Sequence, residues 1–451
     1  MSSATSGPNR VVWEYDVAAG PADLVVDARF APGSSDELRG DDAAAAFFAD
    51  VAYWAGQSFK PARREGRAWI VPCLAHGCRV RYRFALRQAA ASLDDALTAI
   101  ASGDVIVAPP STWLLHPEDA PGRFRFHVAA AGAGRFTTGV HCAADGSPDT
   151  FEGSTQDLDR SSFAVFGPFH LETAQSGTSR IALAIAPYAL PVSDVEALLW
   201  VDRAVESISN YAGVRRFPVD RTLVIVQKGR TGSPTRGVTL GGGGPAVLIR
   251  LGDGTDAVTL REDWVLTHEL LHVVLPSLPR EQDWLSEGLA SYLEPIIRVR
   301  AGSLTPEKLW GDLVDGLPQG LPQSGDEGLA RTHTWGRTYW GGALFCLMAD
   351  VTIRDRTENA RGLDDVIRAV VATGADLETP WDVVQFLEAG DRATNMTVLH
   401  DLYRSLALAP GTVDLPALWS HLGVRGGSGH LPVIFDDSAP LAAVRRAIGG
   451  R

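Results

Sequence analysis

The sequence predicts a multidomain α+β protein. Three observations carry that reading. Residues 9–165 run in short stretches that alternate apolar and polar side chains between turn residues, the period of half-buried strands. From about residue 179 strand-like runs alternate with longer helical patterns. Beyond residue 301 the pattern is helical, broken by the Gly/Pro-rich stretch Gly316–Gly328. The expected domains are a β-rich N-terminal region over residues 1–170, an α/β region over 171–300 and a helical region over 301–451. At 451 residues the chain has room for two or three full cores.

The elements follow in order. Val11–Val17, Asp23–Phe30, Ala68–Val71, Val80–Leu86, Asp104–Val107 and Arg123–Ala129 read as strands. The alanine-rich run from Asp41 to about Gln57 reads as an inserted helix, and Leu93–Ala101 as a second. Arg180–Ala186 is a strand, Val192–Ala212 an amphipathic helix, and Arg221–Lys228 and Pro245–Leu251 are further strands. Thr259-Leu260-Arg261-Glu262 has the form of a capping box, which would open a helix continuing through Trp264–Leu275 to its stop at Pro276. The next helix should run from near Asp283 to about Arg300.

Those last two helices carry the chemistry. The first contains His268-Glu269-Leu270-Leu271-His272, an HExxH motif. Two histidines four apart lie on one helical face, so both imidazoles reach one metal ion. Glu269, beside the first ligand, is placed to take a proton from a water on the open side. The second helix carries Trp284-Leu285-Ser286-Glu287-Gly288-Leu289-Ala290-Ser291-Tyr292-Leu293-Glu294. Glu287 supplies a third ligand. Three protein ligands leave one tetrahedral position open, the arrangement of a catalytic zinc site. Glu294 lies two turns beyond Glu287 on the same face, a position from which it would accept a hydrogen bond from the far nitrogen of His268 or His272. A buried helix with two hydrogen-bonded histidines is the bland alternative. With 11 histidines in the chain and the Glu287 block following, it explains less.

Composition narrows the function further. Apolar residues make up 45% of the chain and the net charge is −13, dispersed and without a Lys/Arg-rich run, so nucleic acid is not an expected partner. The longest apolar stretches, such as Ile181–Ala186 and Gly342–Met348, are too short for a membrane span. Met1–Pro8 lacks the basic and apolar segments of an export signal, which leaves two compartments open: the cytoplasm, or an exported location with the signal missing from this sequence. Cys73 and Cys78 are close enough in sequence for a local disulfide, which would suit an oxidising compartment. With His76 between them a second metal site is the alternative. Cys142 and Cys346 read as unpaired.

The motif residues resemble those of the gluzincins, zinc peptidases whose third ligand is a glutamate on the following helix. Trp284–Glu294 is similar to the WLNEGFASYFE block of the aminopeptidase N family, although only fourteen residues separate His272 from Glu287 here, fewer than in that family. The chain resembles the glycyl aminopeptidase family more closely. Tyr339-Trp340-Gly341-Gly342-Ala343 matches its Tyr-x-Lys-Gly-Ala segment, and Leu347–Arg354 with Gly362–Arg368 matches its LDLEIRxxTxGxxSLDDVxR run. The resemblance spans roughly residues 170–445. It implies a mainly β N-terminal domain, a thermolysin-like α/β catalytic domain and a C-terminal helical domain. It also implies one Zn2+ per chain on His268, His272 and Glu287, with Glu269 as general base and Tyr339 as oxyanion donor in peptide-bond hydrolysis. The substrate would be a peptide or protein, and export is slightly favoured, as relatives are often exported.

Two positions depart from the family pattern. Gly341 stands where the family has lysine. The stretch that would line the cleft, with Gly242, Gly243 and Gly244, carries no carboxylate to hold a free amine. Two alternatives stay open: a non-catalytic peptide-binding protein on a gluzincin fold, and a zinc hydrolase of a non-peptide amide or ester.

Overall fold

The computed structural model describes residues 10–33, 36–118, 121–130, 134–187, 192–252, 254–427 and 432–449. The N-terminal segment read for an export signal lies outside the described residues. The architecture mixes sheets and helices in two compact units.

The first unit comprises residues 1–174, 180–198 and 221–255. Its largest sheet has seven strands in the order Thr150–Ser154, Arg123–Ala130, Val11–Ala19, Leu24–Phe30, Cys78–Phe84, Phe48–Trp54, Phe59–Pro61. The pairing is antiparallel except between Val11–Ala19 and Arg123–Ala130. Alternation of buried with partly or fully exposed residues along Leu24–Phe30 and Cys78–Phe84 puts one face on an aromatic-rich core around Trp13, Phe84, Trp113 and Phe126. A five-stranded sheet orders His170–Ser176, Ser179–Ile185, Arg221–Lys228, Ala246–Leu251 and Arg236–Leu240. Its three middle strands are parallel and Arg236–Leu240 is an antiparallel edge. The centre of Arg221–Lys228 is buried throughout, as a strand covered on both faces requires.

Two expected helices are corrected. Residues 41–57 form a short 3-10 turn, Ala45–Phe47, and then the strand Phe48–Trp54. Alanine-rich sequence favours a helix locally, but Phe48 packs its ring on Trp69, Tyr82 and Phe84, and that tertiary contact wins. The strand takes up the mismatch as a bulge between Ala49 and Ala52, with Asp50 at φ 56°. Instead of Leu93–Ala101, the helix is Leu86–Leu93, stopped by Asp94 in the left-handed region, and Ile100–Ser102 is a strand. Cys73 and Cys78 form a disulfide, with Cα atoms 5.2 Å apart. Cys142 and Cys346 are free.

The second unit comprises residues 175–179, 199–220 and 256–451. Its main helices are Val265–Val274, Asp283–Arg300, Pro306–Gly316, Gly342–Arg356, Leu363–Ala372 and Val383–Thr394. Among the described residues no helix is long and apolar enough to cross a membrane.

Candidate active site

The motif helix, Val265–Val274, buries every residue except His272, which is partly exposed. Its start differs from the expected capping box at Thr259–Glu262. Asp256 is the N-cap residue: its side chain accepts from the amides of Val258 and Thr259, and Thr259 Oγ1 accepts from the Asp256 amide. That box closes the separate short helix Ala257–Arg261. The chain then breaks, and Asp263 accepts from the Leu266 amide at 3.1 Å to begin the motif helix. Burial pushes the Asp263 carboxyl up to about 6, against the hydrogen bonds from the Leu266 and Val265 amides that pull it down.

The Glu287 helix, Asp283–Arg300, is anchored by Trp284, which is fully buried against Phe345 and donates its indole N–H to Gln282 Oε1 at 2.9 Å. Gly288 follows Glu287 directly. A Cβ there would lie 2.4 Å from the Gly342 Cα, and a Cβ on Gly342 would lie 1.9 Å from the Trp284 carbonyl oxygen. Two helix backbones touch at this point, which only glycine allows. Further along, Tyr292 donates to Asp350 at 2.9 Å. Arg354 joins Asp350 at 2.8 Å and Asp364 at 2.6 Å, and the Leu363 amide donates to Asp350 at 2.8 Å. The buried ion network thus ties the Glu287 helix to the two segments, Leu347–Arg354 and Gly362–Arg368, that carry the family-like pattern.

These supports bring three donor atoms together. His268 Nε2 lies 3.1 Å from Glu287 Oε2 and 3.3 Å from His272 Nε2, and His272 Nε2 lies 3.5 Å from Glu287 Oε2. Two bonds of about 2.05 Å at a tetrahedral angle span about 3.4 Å, so this triangle has the spacing of three ligands on one zinc ion. Among the described residues no other group of three His, Cys, Asp or Glu donors converges in this way. The charge around it favours a cation. Burial lowers the His272 pKa, but the hydrogen bond and charge of Glu287, with Glu269 and Asp283 nearby, more than reverse this and hold it up at about 9. The same two histidines hold the Glu287 carboxyl far below the usual carboxylate range against the opposing effect of burial.

Glu269 is buried on the same helix, and its charge is felt by both His272 and Tyr339. Tyr339 lies in a single π-helical turn, Arg337–Gly341, just before the helix Gly342–Arg356. The buried guanidinium of Arg337 fixes that turn by an ion pair to Asp326 at 2.8 Å and a hydrogen bond to the Gly320 carbonyl. The Tyr339 ring stacks near His268, with centroids 6.4 Å apart. Burial, the charges of Glu287 and Glu269, and a hydrogen bond to Glu287 push its hydroxyl up to about 12, so it stays protonated and able to donate.

Two expected site roles come out differently. Glu294 takes no hydrogen bond from either motif histidine. Arg298 claims it at 2.9 Å while also donating to the Glu262 carbonyl at 2.7 Å, so the pair fastens the approach to the motif helix onto the Glu287 helix. His268 Nδ1 is buried without a hydrogen-bond partner. The glycines expected in a substrate cleft belong to the first unit. There Gly242 pairs with Ser161, where a Cβ would lie 2.3 Å from the Arg160 carbonyl oxygen, and a Cβ on Gly244 would lie 2.1 Å from that of Gly139. The close backbone they admit is the chain's own. Sequence reasoning missed Gly288 and Gly342 as a contact and Arg337 as an anchor, since each depends on a residue remote in sequence.

A cavity of about 950 Å³ opens at His268 and Tyr339 within the second unit. It continues past Trp264 and Trp335 along the Glu287 helix to Lys308 and Asp312.

The fold as a whole is similar to the crystal structure of an aminopeptidase N family protein from Idiomarina loihiensis. The TM-score is 0.69 at 14% sequence identity, covering 92% of this chain and 79% of the other. No family model matches the sequence, and no curated protein matches it. The likeness establishes a coarse aminopeptidase-like fold.

Proposed function

We propose that this aminopeptidase-like fold serves a zinc metallopeptidase of the gluzincin type, with one Zn2+ held by His268, His272 and Glu287. The observation that carries the reading is the triangle of donor atoms at 3.1, 3.3 and 3.5 Å, in reach of a buried carboxylate and a protonated phenol. Zinc at such a position supplies Lewis-acid chemistry, bringing the pKa of water to about 7 and polarising the scissile carbonyl.

The chain's own residues do the rest. Glu269 takes the proton of the attacking water and returns it to the departing amine, a role for a carboxylate that adjoins the ligand His268 in the motif helix. Tyr339 donates its O–H to the carbonyl oxygen as negative charge develops there. Its hydroxyl, held up at about 12, does not ionise at working pH and loses no donor capacity.

Metal analysis paired with Glu269→Gln tests this. The native protein should carry close to one zinc equivalent, lost in His272→Ala. Glu269→Gln should keep fold and metal and lose roughly 10² to 10⁴ in turnover of peptides. A His272→Ala protein with full zinc, or a Glu269→Gln enzyme of undiminished turnover, would exclude the assignment.

A further inference from the structure

We propose that Trp264 and Trp335 make the enzyme select peptides with an aromatic residue beside the scissile bond, seated in the cavity that opens at His268 and Tyr339. The inference rests on the peptidase reading and adds the class of substrate.

Three observations lead to it. Trp264 and Trp335 are 51% and 61% exposed, and they are the exposed tryptophans of the second unit among the described residues. Both touch the candidate site itself. The Trp264 ring meets the His268 ring edge-on at 5.5 Å, and Trp335 stacks on Tyr339 at 5.7 Å and 29°. Large aromatic surface left in water at the mouth of a cavity is a standing favourable term for any ring that covers it.

The arginines and the lysine of the cavity wall are already matched. Arg298 is paired with Glu294 at 2.9 Å, Arg300 with Asp364 at 3.4 Å and Lys308 with Asp312. An acidic side chain entering there would lose its water and find these partners engaged, which is costly. A neutral one meets Pro295, Val299, Leu313 and Trp340. The volume of about 950 Å³ stands at the upper end of the range for pockets that enclose whole drug-sized ligands, so bulk is admitted and not excluded.

The ligand is therefore distinguished by its flat apolar face. Stacking of one ring pair, taken at the upper end of its usual range, corresponds to about a tenfold preference.

The test uses the full-length, metal-loaded protein and quenched peptides that differ only in Phe or Gly at each residue flanking the cleaved bond. The expected result is a Phe-to-Gly ratio of kcat/KM of about ten or more on one side of the bond. Trp335→Ala and Trp264→Ala should each lower that ratio several-fold, and Trp335→Phe should restore most of it. A native enzyme that cleaves Gly peptides as fast as Phe peptides overturns the inference alone, as does a ratio unmoved in both alanine variants. Failure of the metal-loaded protein to cleave any peptide overturns the peptidase reading and this inference with it.

Discussion

Gly288 and Gly342 meet backbone to backbone: a Cβ on the former would stand 2.4 Å from the Cα of the latter. Glu287 immediately precedes one of these glycines, and Tyr339 lies three residues before the other. The contact therefore sets the spacing between a proposed metal ligand and a proposed oxyanion donor. Gly288→Ala should force the helices apart and cost about 1–3 kcal/mol of stability, the range for overpacking a well-filled interior. Denaturant midpoints measure the loss, and a variant as stable as the native protein would show that the crossing yields freely.

Tyr339→Phe should lower kcat about a hundredfold with little change in KM. Its hydrogen bond to the substrate would form mainly as charge develops, and such interactions raise kcat without raising ground-state affinity. Steady-state kinetics on one good peptide decide this. Native kinetics in the variant would return Tyr339 to the role of a core aromatic.

Glu294 should impose a pH dependence on stability. Its ordinary pKa is 4.5. Burial raises it to about 7, with Asp263 and Asp312 adding to the rise and Arg298 pulling back. Below about pH 4.5 the group is protonated folded and unfolded, and contributes nothing. Between about 4.5 and 7 the folded protein holds a proton that the unfolded chain has released, so stability falls as pH rises across that window. The loss amounts to about 3 kcal/mol. Glu294→Gln should remove this slope, as urea unfolding at pH 5 and pH 8 would reveal. Equal slopes in the two proteins would contradict it.

A fourth expectation concerns the ends of the substrate. The stretch expected to hold a free amine, 241–244, has no carboxylate, and the cavity carboxylates Glu294 and Asp312 are paired with Arg298 and Lys308, so N-acetylated peptides should be cleaved at rates within about tenfold of their free counterparts. A preference for the free amine of about a hundredfold or more would mean that another group, such as Glu262, supplies the anchor.

Much of the candidate site was legible because its logic is local. The four-residue spacing of His268 and His272 fixes their common face whatever surrounds the helix, and the Glu287 helix begins and ends at the residues expected for it. What escaped was set at long range. The alanine run before Phe48 stops at a short 3-10 turn and the chain goes on as a strand because of rings at Trp69, Tyr82 and Phe84. Glu294 is taken by Arg298 because the chain breaks at Glu262–Trp264 and leaves a carbonyl that the same guanidinium also serves. Asp350, Arg354 and Asp364 occur in segments recognisable by resemblance, yet their role as a buried clamp on Tyr292 emerges only from the fold.

The π-turn at Arg337–Gly341 has a consequence for how this chain tolerates change in length. Such a turn accommodates one residue more than an α-helical ladder needs. Deleting one residue between Arg337 and Gly341 would let the ladder close as ordinary helix, at little expense to the packing beyond Gly342. The helix on either side would keep its face, because the turn had already absorbed the extra residue, and the side chains inside the turn would be the ones re-aimed. Tyr339, which lies inside it, would lose its place beside His268 while the helix itself survived. The aim of that phenol is written into the chain as a count of residues, and a one-codon deletion there would separate a folded protein from a working one.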